Sequence, residues 1–212
     1  MRYESAYKGI QKVFVAQLLN LIAVVLAMAS LVSAGGAFGA AVSESTGIAQ
    51  GLAIGSVIGL LASAILPIVS YILNLVGLMQ ASKDERKSFR IAFFSALIAL
   101  IASVVSSLAG TGTLAGGILG IISRAAQLIS LFYIINGIME LAGRLNRQDV
   151  SWLGSKLMWM LIILYVAAIV IGFIPNAEFG AIAGVASLAF MIVIYVVYLV
   201  YLLKAQRMLA GK

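Results

Sequence analysis

Long apolar runs separated by short charged clusters dominate the chain, and they are continuous instead of alternating at every second residue. That pattern predicts membrane-spanning helices and argues against a β-barrel. Six runs stand out, at roughly 13–34, 48–80, 91–109, 117–142, 157–174 and 181–203, each able to cross about 30 Å of hydrocarbon. The expected fold class is an all-α integral membrane protein with six transmembrane helices, residues 1–212 forming a single polytopic membrane domain. The second run would reach about 50 Å as a straight helix, so it should tilt, protrude or bend at Pro67.

The charged clusters orient these runs. Arg2, Lys8 and Lys12 precede the first; Lys83, Arg86, Lys87 and Arg90 follow the second; Arg144, Arg147 and Lys156 follow the fourth; Lys204, Arg207 and Lys212 follow the sixth. The loops expected on the other side, "SAGGAFGAAVSEST", "AGTGTLAGG" and "PNAEFG", carry no Lys or Arg, and Arg124 is the single exception among 14 basic residues. The positive-inside rule therefore places both termini in the cytoplasm, in a membrane of the bacterial cytoplasmic type.

Composition agrees: 63% apolar residues against 10% charged, with mean hydropathy +1.14, leave too little polar surface for a water-soluble globule. The net charge of +7 reads as a topology signal and an affinity for anionic lipid headgroups, with no cluster dense enough to suggest nucleic acid. A cleaved signal peptide is the rival for the first run. Its apolar core of about 20 residues is longer than the 7 to 15 usual for such signals, so it is read as a span.

The chain also shows signs of internal repetition. "YILN" (71–74) and "YIIN" (133–136) lie 62 residues apart, and Tyr195 lies 62 further on. Each odd run begins with an aromatic residue at its cytoplasmic edge, and each even run begins with spaced glycines. These features suggest three two-helix hairpins in parallel orientation, at 1–82, 83–147 and 148–212, whose even helices would surround a pseudo-threefold axis with the odd helices outside.

Gly47, Gly51, Gly55 and Gly59 recur every fourth residue, and Gly116, Gly120, Gly180 and Gly184 continue the theme in the fourth and sixth runs. In lipid, helices associate through close van der Waals contact, and glycine at this spacing makes a groove for another backbone. A glycine-zipper packing seam is the expectation; faces that slide around a pore or hinge are the alternative.

Polar stripes accompany the seam. Ser56, Ser63 and Ser70 repeat every seven residues, with Asn74 beyond them, and Ser123, Gln127, Ser130 and Gly137 mark one face of the fourth run, with Asn136 beside it. The third run adds Ser95, Ser103 and Ser106 among alanines. Such stripes must face protein or water, either as hydrogen-bonding glue between helices or as a polar path for a solute. Tyr195 and Tyr198 need hydroxyl partners or a cavity, whereas Tyr201 fits the interfacial aromatic belt. Arg124 should carry outer-face charge, with Glu44 and Glu178 the acidic residues on that side, and Glu140 precedes Arg144 at ordinary i,i+4 spacing.

Catalysis finds little support. The chain has no histidine and no cysteine, which removes imidazole and thiolate metal sites and the Ser-His and Cys-His nucleophiles. No enzyme activity, cofactor or metal is therefore expected. Two function classes follow from the residues. One is a non-enzymatic interaction or accessory subunit of a membrane assembly, with the lipid bilayer, other membrane proteins or further copies of itself as partners and no nucleic acid. The other is a transporter or channel for a small neutral or apolar solute, with ion coupling disfavoured by the lack of a deep carboxylate.

Overall fold

The computed structural model describes the backbone of residues 3–42, 46–110, 113–172 and 177–211, and the side chains of residues 3–34, 54–110, 113–167 and 189–211. Six helices follow one another: α1 (Glu4–Val42), α2 (Thr46–Ala81), α3 (Arg86–Ala109), α4 (Leu114–Arg144), α5 (Gln148–Gly172) and α6 (Ala177–Leu209). Each contains a segment long and apolar enough to cross a membrane.

The helices outrun the apolar stretches that announce them. Intrahelical hydrogen bonding continues through the charged flanks, where i,i+4 pairs favour it: Lys8 lies 2.6 Å from Glu4, and Arg144 2.7 Å from Glu140. The segment "SAGGAFGAAV", expected as loop, is instead the end of α1. An amide in an apolar setting has no water to bond, so the helix persists through small residues that would fray in solvent.

The turns have clear local causes. Glu85 caps α3, its carboxylate accepting from the Ser88 amide at 2.8 Å, and Thr113 caps α4, its hydroxyl accepting from the Gly116 amide at 3.0 Å. Asn146 adopts φ 54° just past α4, and the Arg147 amide turns back to the Ala142 carbonyl at 2.9 Å, closing the helix by a left-handed cap.

The chain forms two compact units, residues 12–76 and residues 1–11 with 77–212. In the larger, α3 and α4 make the most extensive pairing, and α4 also packs on α5, which in turn packs on α6. Among the described residues contact between α4 and α6 is narrow, and the glycine-rich start of α6, where the central seam is expected, lies outside the described side chains. Ile134, Ile135, Ile138 and Leu141 of α4, with Leu157 of α5 and Leu202 of α6, form the buried centre. Near the start of α1, the Ala6 amide donates to Asp84 at 2.6 Å, fixing the N-terminal turn to the α2–α3 connection. The smaller unit is a hairpin of the remaining parts of α1 and α2.

Candidate functional site: hydroxyl ladders and exposed polar groups

Four serines of the predicted stripes, Ser70, Ser106, Ser123 and Ser130, bond across to a neighbouring helix. In the α3–α4 hairpin, Ser130 donates to the Ala92 carbonyl at 2.9 Å, Ser123 to the Ala99 carbonyl at 2.9 Å, and Ser106 to the Gly116 carbonyl at 2.7 Å. The contacts advance by seven residues on both helices, 92, 99, 106 against 130, 123, 116. Seven residues fall about 20° short of two full turns of an α-helix, so helices that keep this repeat stay in contact by gentle left-handed coiling. Small residues are required throughout, because a hydroxyl one carbon from the backbone reaches a neighbour's carbonyl only when the helices lie close. Ala92, Ala96, Ala99, Ala102, Ser95, Ser123 and Ser130 are all buried.

The α1–α2 hairpin uses the same chemistry at Ser70, which donates to the Ala16 carbonyl at 2.7 Å. Ser30 is buried and bonds the Leu26 carbonyl of its own helix, Ser56 is buried, and Ser63 is half-buried and bonds the Leu60 carbonyl. A Cβ on Gly59 would overlap the Ser30 hydroxyl and crowd the Ser30 Cβ at 3.3 Å, so the glycine lets α1 approach here without displacing Ser30.

The predicted zipper is therefore only partly a seam. Gly59 packs on α1, Gly116 is buried against the Gly110 carbonyl and Thr113, and Gly120 faces Ser106 at ordinary distance. Gly55 is exposed, and among the described residues a side chain there would meet open space and not another helix. Four residues advance a helix by about 40° past a full turn, so a run at that spacing drifts off one face. The surroundings of Gly47, Gly51, Gly180 and Gly184 lie outside the described residues.

Other glycines carry close approaches that i,i+4 spacing does not reveal. A Cβ at Gly9 would meet the Gly77 carbonyl at 2.5 Å and the Ala81 amide at 2.6 Å, backbone against backbone. A Cβ at Gly137 would meet the Phe89 ring at 3.0 Å. Gly154 leaves room for Met139 of α4 and for the Tyr201 hydroxyl, which would lie 2.7 Å from an added Cβ. The recoverable signal is the interval of seven, which links Gly9 to Ala16, Ser70 to Gly77 and Ser130 to Gly137.

Tyr201 departs from expectation. It is fully buried instead of interfacial, and its hydroxyl donates to the Ile135 carbonyl at 3.1 Å, bolting α6 to α4 through the gap at Gly154. Among the described residues the buried Tyr198 hydroxyl has no hydrogen-bond partner, and the buried Asn74 Oδ1 has no donor. Tyr195 is half-buried. Asn136 is exposed and donates to the Ser88 hydroxyl at 3.2 Å.

Gln127 does not share the face of Ser123 and Ser130. It is exposed, as is Arg124 one turn earlier. Measured from Leu114, these residues lie about 15 and 20 Å along α4, well inside an apolar helix. Among the described residues no hydrogen bond or ion pair engages either side chain, and Glu44 and Glu178 lie outside the described side chains. The chain was compared with protein-family models, curated proteins and solved structures, and none matches.

Proposed function

We propose that the protein is a non-enzymatic interaction or accessory subunit of a membrane assembly, associating through the polar face of α4. The observation that carries this reading is the exposed pair Arg124 and Gln127 on a helix whose adjacent exposed residues are Ile121, Ile122 and Ile129. Lipid chains cannot satisfy an amide or a guanidinium, and such groups in a span face protein or water. A second copy or another membrane protein offering carbonyl or carboxylate acceptors would satisfy both. The ladder serines favour the same class, since their hydroxyl protons are committed to backbone carbonyls and do not line a path.

Transport of a small neutral solute is the second reading, favoured by the buried Tyr198 hydroxyl and Asn74 carbonyl, which have no partner among the described residues. Photocrosslinking separates the two. A photoreactive residue at position 127, in intact membranes, should give one discrete protein adduct, at twice the 22.2 kDa chain mass if the partner is a second copy. The same residue at position 121, where Ile121 is 69% exposed, should label lipid. Lipid labelling alone at both positions would overturn the proposal.

Orientation and repetition belong to the same reading. The basic clusters support cytoplasmic termini. The hairpins α1–α2 and α3–α4 are read as copies because their ladders correspond: Ala16, Ala23 and Ser30 match Ala92, Ala99 and Ser106 at an offset of 76 residues, while Ser63, Ser70 and Gly77 match Ser123, Ser130 and Gly137 at 60. The 62-residue spacing of the tyrosines would align Ser70 with Phe132, which is not in the ladder. Among its described residues the third hairpin buries Leu157, Leu161, Ile194 and Tyr198 where the first two bury serines.

A further inference from the structure

The α2–α3 connection, "SKDERK", reads in sequence as a nearly balanced mixture of charge. In the structure its two signs are separated. The Asp84 carboxylate accepts the Ala6 amide, and Glu85 is buried, with one oxygen on the Ser88 amide and the other 4.0 Å from Arg144. Both acids are thus occupied in holding the fold together. Lys83, Arg86, Lys87 and Arg90 are exposed, and among the described residues none forms an ion pair.

Three of these cations line one groove. Lys83, Arg86 and Arg90, with Ser82, Phe93 and Phe94, enclose about 480 Å³ at the end of α3, a volume in the range of small-ligand sites. Arg86 and Arg90 stand one helical turn apart on the same face, so their planar forks can engage one phosphate from two directions. The Arg90 guanidinium lies 5.7 Å from the centre of the Phe94 ring, which restrains it over the apolar part of the helix. Beneath Arg90 runs a continuous exposed apolar stripe, Phe94, Ile98, Ile101, Val105 and Leu108, at helical spacings of four and three. Cations at the top of a groove, an aromatic hinge, and an apolar track leading away from it match the parts of an anionic phospholipid: phosphate, glycerol region and acyl chain.

We propose that this groove is a binding site for the headgroup of an anionic phospholipid, with Arg86 and Arg90 on the phosphate, Lys83 supplying further positive potential, and an acyl chain lying along Phe94, Ile98 and Ile101. The inference does not depend on the partner face of α4. It differs from a general attraction to anionic membranes because it requires these positions, not an equal charge elsewhere.

The test is native mass spectrometry of the purified full chain with added phosphatidylglycerol or phosphatidylcholine. Wild type should retain phosphatidylglycerol in preference to phosphatidylcholine. Arg86→Gln and Arg90→Gln should each weaken retention about fivefold, and together roughly 25-fold, the scale expected for loss of one cation each at a lipid surface. The pair Lys204→Gln and Arg207→Gln removes the same charge at the end of α6 and should change retention by less than about twofold. Equal losses in the two double variants, or equal retention of both lipids by wild type, would overturn the site. Inorganic phosphate should not displace the lipid; if it does, the site is one for free anions and the lipid assignment is wrong. Because Arg86 and Arg90 are exposed and outside the buried contacts, helical circular dichroism should be unchanged. If the double variant nevertheless loses helicity, the single Lys83→Gln variant, compared with Lys204→Gln alone, decides the same question by its selective loss.

Discussion

Ser130 offers the sharpest test of the hydroxyl ladder. It is 5% exposed and donates across the hairpin to the Ala92 carbonyl at 2.9 Å. Ser130→Ala removes this bond but orphans little, because a mid-helix carbonyl already accepts its own i+4 amide. The expected loss is about 0.6 kcal/mol, the average for an interhelical hydrogen bond in a membrane protein. Ser106→Ala and Ser123→Ala delete equivalent bonds seven residues along, about 10 Å away, so the three losses should nearly add to ~2 kcal/mol. Ser130→Leu differs in kind: the bulk of leucine has no room between two close backbones and adds about 1–3 kcal/mol of overpacking to the lost bond. Unfolding in mixed dodecyl maltoside and SDS micelles, followed by circular dichroism, measures these changes. The absence of cysteine lets an Ala92→Cys, Ser130→Cys pair report the register by disulfide formation without background. If Ser130→Leu proves as stable as Ser130→Ala, the helices are not in close contact at this level and the ladder is refuted.

Three other outcomes are expected. Gly59→Leu should destabilise the α1–α2 hairpin by about 1–3 kcal/mol through collision with Ser30, whereas Gly55→Leu, with open space around it, should stay within about 0.5 kcal/mol of wild type; equal effects in the same unfolding assay would contradict the assigned faces. Tyr201→Phe should cost about 0.5–1.5 kcal/mol by removing the bond to Ile135 while keeping the ring, and no measurable loss would mean that the hydroxyl does not bolt α6 to α4. Reporter fusions after residues 85, 147 and 212 should report the cytoplasm and those after 40, 112 and 176 the opposite side, and a cytoplasmic signal at 112 would break the proposed topology.

The number and order of the helices were legible in the sequence because hydrocarbon leaves the backbone few choices: an apolar run long enough to cross must satisfy its amides internally, whatever its neighbours. The seven-residue recurrence of Ser56, Ser63 and Ser70 was legible for a related reason, since a period close to two helical turns fixes one face before any partner is known. The partner of each face was not. Spacing assigned Gly55 to a seam and Gln127 to the Ser123–Ser130 face, yet a helix drifts around its axis, and only the position of the neighbouring helix shows where contact ends. Tyr201 carried the composition of an interfacial residue, and only the space left by Gly154 and the nearby Ile135 carbonyl drew it into the core. Charge followed the same division. The residues of "KDERK" determine how many cations and acids the α2–α3 connection contains, but the tertiary contacts to Ala6, Ser88 and Arg144 decide that its acids turn inward and its cations face the groove. Local patterns determine secondary structure in a membrane because the solvent enforces it, while specificity among apolar faces rests on contacts a few ångströms long that only the packed chain creates.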